Sequence, residues 1–242
     1  FFSSRRRHTR LQGGLEFRRV LFRSLSGANT FTGGLTLNAG TLAISANSAL
    51  GNGSVTIASN ATISGLTNLN VTNGIAVSTG AAGTMDVAST FTQTNTGVIS
   101  GAGSLVKAGA GTLQLTASNT YTGGLTVDAG TVILSGSGTL AATNATVKIG
   151  AGTVNLGGLT RTNNTFTLDS GVLTNGTLNA TNYLLTNAGT IAANLTGTGS
   201  LTKSGSGTAT LSGANTFTGG LTLNAGTLAI SANSALGNGS VT

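Results

Sequence analysis

Carboxylates are the residues of this chain that could most readily carry chemistry. Acid–base attack on a glycosidic bond needs two or more of them within about 10 Å across the substrate. Beyond Ser24 the acids are Asp86, Asp128 and Asp169. Asp128 and Asp169 stand in a turn slot that Asn38, Asn187 and Asn224 fill elsewhere. An amide can replace a turn-forming carboxylate but not a catalytic one, so a turn role is expected for both. Asp86, in Thr84-Met85-Asp86-Val87, alternates outward between two buried apolar residues. A carbohydrate-active enzyme would require the three acids to converge on one face. Wide separation would dismiss it.

Other chemistries find less support. The chain has no Cys and one His, His8, so thiol catalysis, thiolate metal sites and a His-based serine-protease triad lack their parts. Asp does not recur with the period that Gly-rich calcium repeats require. The GxG groups at 101–111 and 197–207 lack the Lys-Ser/Thr ending of a phosphate loop and read as corners. No catalytic, metal or cofactor-binding residue is therefore assigned. Lys107 and Lys203 hold equivalent places before a Gly-rich turn, and Lys148 lies between Val147 and Ile149; solvated positions are expected for all three. Phe31, Tyr121 and Phe217 could stack on sugars, but they recur too far apart in the chain to form a contiguous platform, so corner packing is expected. Thr30/Thr32, Thr120/Thr122 and Thr216/Thr218 raise ice binding, which would need threonine arrays on successive coils rather than on every fifth.

The formal charge of +7 would ordinarily point to nucleic acid. Its location removes that reading. Residues 1–24 hold seven arginines against Glu16, a net +6, whereas residues 25–242 carry Lys107, Lys148, Arg161 and Lys203 against three aspartates, a net +1. Residues 25–56 recur unchanged at 211–242, yet residues 1–24 match 187–210 at only two positions. Leu15–Ser24 (LEFRRVLFRS) also resembles the translation of a common sequencing-library adapter. Residues 1–24 are accordingly read as a non-native or disordered segment, with a basic nucleic-acid arm as the competing reading, and residues 25–242 as the folded body. An export signal is expected upstream. The duplication of 25–56 at 211–242 reads equally as a tandem repeat or as an assembly overlap.

The elements of the body come from a repeat. A phrase of apolar-x-apolar, a small turn ending in Gly, and a second strand appears at 35–44, 125–134, 147–156, 166–175 and 184–193. Turn glycines from Gly111 to Gly226 follow one another at 18–22 residues, while the rhythm blurs between Gly40 and Gly103. Alternation places Leu35, Leu37, Leu42 and Ile44 inside and Thr36, Thr41 and Ala43 outside. Short strands at a near-constant period predict an all-β, right-handed parallel β-helix of about ten or eleven coils, each of about 18–22 residues. An antiparallel sandwich is the rival, because similar turns serve hairpins.

A longer phrase marks a family. Gly103–Val132 reads GSLVKAGAGTLQLTASNTYTGGLTVDAGTV, Gly199–Leu228 reads GSLTKSGSGTATLSGANTFTGGLTLNAGTL, and residues 25–42 supply the second half of a third copy. These three stretches resemble the passenger-associated strand repeat of bacterial autotransporters. That resemblance implies a secreted β-helical stalk, exported through an outer-membrane translocator barrel and displayed on the cell surface or released. It implies a structural stalk or an adhesin or self-association region; no cofactor and no nucleic-acid partner are expected for the body. Self-association and host or cell-surface glycans and proteins are the partners it suggests. The chain reads as an internal fragment of a longer repetitive protein. A carbohydrate-active β-helix enzyme fragment and an ice-binding β-solenoid are the alternatives.

Overall fold

The computed structural model describes residues 15–17 and 23–242. Among the described residues every regular element is a strand, and the strands form three sheets of five, twelve and nine members. Each ladder is parallel, with register partners one coil apart, as in Leu42 with Ile63, Val127 with Ile149 and Leu113 with Val132. The chain is a parallel β-solenoid of about ten turns. Hairpins, which the rival sandwich required, do not occur among the described residues. At roughly 4.8 Å between strands, ten turns make a tube about 50 Å long.

Alternation of side chains explains the cross-section. Along the twelve-stranded sheet one inward column runs Leu42, Ile63, Met85, Lys107, Val127, Ile149, Leu168, Leu185, Lys203 and Leu223. Burying the aliphatics of this column from Leu42 to Leu185 against the other two sheets drives the winding, because a single coil cannot cover its own apolar side. Corners fall where a small residue permits a sharp reversal. Gly40, Gly130 and Gly226 adopt φ of 83°, 64° and 74°, a left-handed conformation that costs a residue with a Cβ dearly.

The five-stranded sheet contains Leu35–Leu37, Val55–Ile57, Ile75–Val77 and Ile99–Ser100. Beyond Ser100 this side of the tube is built mostly from irregular chain. It returns as the first halves of the long strands Thr160–Leu168 and Thr177–Leu185. Thr177–Asn179 pairs with Asn194–Thr196, while Asn182–Leu185 pairs with Ser200–Lys203 on the next face. Within the N-terminal segment, Leu15–Phe17 pairs with Leu35–Leu37, and Arg23 begins a strand beside Gly40–Ile44. The expectation of a non-native or disordered segment covers all of residues 1–24, and apart from these strand residues it lies outside the described residues.

Candidate interaction surface

The signature phrase turns inward. Tyr121 and Phe217 are fully buried, so they pack corners rather than platforms. The Tyr121 hydroxyl donates to the carbonyl of Leu140, and burial raises its pKa. The Phe217 ring lies 5.9 Å from that of Tyr183 at an interplanar angle of 48°. The asparagine of N-T-[FY]-T-G-G clamps three coils. Asn119 Oδ1 accepts from Ile99 N at 2.9 Å while its Nδ2 donates to Thr139 O at 2.9 Å. Asn215 repeats this with Leu195 N at 2.8 Å and Ala235 O at 2.6 Å. The coils that carry Asn119 and Asn215 have no regular strand there, and these side chains satisfy backbone groups on the coils to either side.

The lysines of the same phrase overturn an expectation. Lys107 and Lys203 are not solvated; both are completely buried. Lys107 Nζ donates to the carbonyls of Ala108 at 2.5 Å, Gly109 at 2.7 Å and, one coil on, Ala129 at 3.3 Å. Lys203 does the same with Gly205 and with Ala225. An ammonium with its donors turned to corner carbonyls is a staple between successive corners. Desolvation lowers the Lys107 pKa to about 8, opposed by the charge of Asp86, and desolvation lowers that of Lys203 as well. Lys148 points out as expected.

The outer faces carry what the tube offers to a partner. On the twelve-stranded sheet the outward column next to that inward one reads Thr41, Thr62, Thr84, Val106, Thr126, Lys148, Thr167, Leu184, Thr202 and Thr222. On the nine-stranded sheet another reads Thr92, Thr112, Thr131, Thr153, Val172, Thr190, Thr210 and Ala229. Their threonines are part-exposed. These rows recur on successive coils, but they are a different set from the Thr pairs of the signature phrase. Single copies of the repeat do not reveal them; only the register assembles them.

The acids are aligned rather than scattered. Asp86 pairs with Ala108, Asp128 N bonds Lys107 O, and Asp169 N bonds Ile149 O, so the three occupy one corner column on alternate coils. Two strand spacings put neighbours roughly 10 Å apart, so wide separation does not hold. All three point outward, and two are tied to adjoining coils. Ser64 Oγ donates to Asp86 Oδ2 at 3.1 Å and Thr186 Oγ1 to Asp169 Oδ1 at 3.2 Å. Thr186, not Asn187, holds the equivalent place on the following coil, and Asn38 turns a different corner altogether. No group of three or more His, Cys, Asp or Glu that could hold a metal ion occurs among the described residues.

A parallel β-solenoid with buried Lys and Asn clamps at fixed places in its repeat is a class with a sequence counterpart. The Passenger-associated-transport-repeat family matches residues 24–44, 105–134 and 201–230. In these three stretches the chain is similar to an autotransporter passenger repeat. It is 35% identical over 106 residues to a protein of Brucella suis biovar 1 (strain 1330) described as "Adhesin BmaC autotransporter". That stretch is 43% of this chain and 3% of the relative, so the chain spans a small part of that protein's length. No solved structure matches it.

Proposed function

We propose that residues 25–242 form a non-catalytic stalk in a surface-displayed autotransporter passenger, and that its outer faces mediate adhesion or self-association. The observation that carries this reading is the pair of threonine rows on a body of net charge +1. Weak charge leaves little long-range repulsion between copies. A threonine row offers a methyl and a hydroxyl at each strand spacing, which suits lateral contact with another solenoid or with cell-surface glycans and proteins. The interior clamps keep that surface straight by tying coil to coil. An adhesin as relative supports the same reading.

Export would run through an outer-membrane barrel, with the passenger left at the cell surface or released. Residues 1–24 lie outside the passenger in this reading, and deleting them is expected to leave its adhesive behaviour unchanged. Settling and surface attachment of cells displaying the passenger, compared with cells lacking it, test the proposal. Faster settling or firmer attachment is expected. Unchanged values of both would count against adhesion.

A further inference from the structure

The coil Ala82–Ser100 breaks rules that its neighbours keep. On the nine-stranded sheet, Gln93 stands between Leu69 and Leu113, and Asn95 between Val71 and Leu115. Both amides are buried. Gln93 Nε2 donates to Asn95 Oδ1 at 2.9 Å, leaving Gln93 Oε1 and Asn95 Nδ2 without partners. Turning both amides over only exchanges which donor and which acceptor are orphaned. Gly65 faces Gln93, and a Cβ there would sit 2.9 Å from Gln93 Oε1, so a side chain has been given up to admit the amide.

Independent compromises meet in the same coil. Its corner assigns φ of 71° to Thr90, a β-branched residue, where the following corners use Gly109 and Gly130. Val98 is exposed. The five-stranded sheet ends at Ile99–Ser100, and the step from Ile75 to its partner Ile99 takes more chain than the step from Val55 to Ile75. Lower and upper parts of the tube are also out of phase across it. Leu35–Leu37 lies on the five-stranded sheet, whereas the equivalent Leu125–Val127 and Leu221–Leu223 lie on the twelve-stranded one.

We infer that the coil Ala82–Ser100 is a built-in opening seam, at which the tube separates before any other interior coil, dividing it into two cooperative units. Unpaired buried amides and a strained corner weaken the docking of this coil on both sides. On the nine-stranded sheet the coils on either side keep aliphatic columns, Leu69 and Val71 before it and Leu113 and Leu115 after it.

Hydrogen exchange on the full chain, read by mass spectrometry, tests the seam. Amides of Thr92–Asn95 are expected to exchange at least about tenfold faster than those of Thr131–Leu134 on the same sheet. Equal or slower exchange would overturn the inference. Gln93→Leu combined with Asn95→Val, which continues the flanking columns, is expected to slow exchange at 92–95 by about tenfold and to leave 131–134 alone. Thr90→Gly reaches the seam from outside the core, so it serves even where the double variant misfolds; several-fold slowing at 92–95 is expected. Absence of slowing in folded variants rejects the seam.

Discussion

Residues 25–56 and 211–242 have the same sequence and live in different surroundings. Some features travel with the sequence. Asn29 and Asn215 donate to Ala49 and Ala235 at 2.7 and 2.6 Å. Gly51 and Gly237 each lie against the ring of Phe31 or Phe217, and Leu35 pairs with Val55 as Leu221 pairs with Val241. Other features do not travel. Leu35–Leu37 and Gly40–Ile44 run on the five- and twelve-stranded sheets, while Leu221–Leu223 and Thr227–Ile230 run on the twelve- and nine-stranded ones. Ile44 is 1% exposed and Ile230 48%; Val55 is 0% and Val241 55%. The repeat thus carries its own turn and clamp, whereas face and burial are conferred by the coils stacked upon it.

The largest expected effect separates these twins. Ile44→Ala should cost about 3 kcal/mol through lost burial and a residual cavity. Ile230→Ala should cost under about 1 kcal/mol. Local stabilities from hydrogen exchange measure both without assuming two-state unfolding. Equal costs would show that coverage by the next coil is not what distinguishes the copies.

The half-copy at 25–42 lacks the lysine-bearing opening that Gly103 and Gly199 begin, which sharpens the contrast by pH. A buried lysine whose folded pKa is about 8 binds fewer protons than in the unfolded chain between pH 8 and 10.5. Stability of the coils around Lys107 is therefore expected to rise across that window, by an amount of order 3 kcal/mol. Below pH 8 the penalty is present in full. Lys107→Met should abolish the rise, and the coils at 25–56 should not show one. Exchange-derived stability at pH 7.5 and 10 provides the reading.

Next in size is the asparagine clamp. Asn215→Ala removes one acceptor and one donor and strands Leu195 N and Ala235 O, an expected loss of about 2 kcal/mol. Asn29→Ala removes its bond to Ala49 O, and about 1 kcal/mol is expected. A reversed order, measured by the same exchange experiment, would break the idea that the clamp gains strength from the coil beneath it.

Alternation, turn chemistry and period made the solenoid legible, because each is a local rule obeyed by most coils. The aromatic corners were legible for the same reason. The lysines were misjudged by residue type, since an ammonium ordinarily seeks water. Parity contains the answer: Leu105-Val106-Lys107 and Leu201-Thr202-Lys203 place each lysine on the inward side with its leucine. Alignment of the acids was also within reach, because the spacings from Asp86 to Asp128 and from Asp128 to Asp169 are nearly equal and close to two coils each. Phase was not. Coil length changes between Val55 and Ile99, and a period averaged over copies cannot report which face a copy lands on.

The smallest effect on stability bears most directly on adhesion. Thr222 and its twin Thr36 have identical flanking residues, yet Thr222 lies in the row on the twelve-stranded sheet, against Thr202. Thr36 continues into Thr56, Ala76 and Ser100 on the five-stranded one. Both are part-exposed, so Thr222→Lys and Thr36→Lys should each stay within about 0.5 kcal/mol of the parent. Their effects on association should differ. A lysine at Thr222 adds a hydrated charge to a row that otherwise carries only that of Lys148, and lateral contact would have to desolvate it. At Thr36 it falls outside both rows. Slower settling of displaying cells is expected for Thr222→Lys alone, checked against equal surface display of both variants. Equal slowing by both would assign adhesion to the local sequence of the repeat rather than to the rows that stacking assembles.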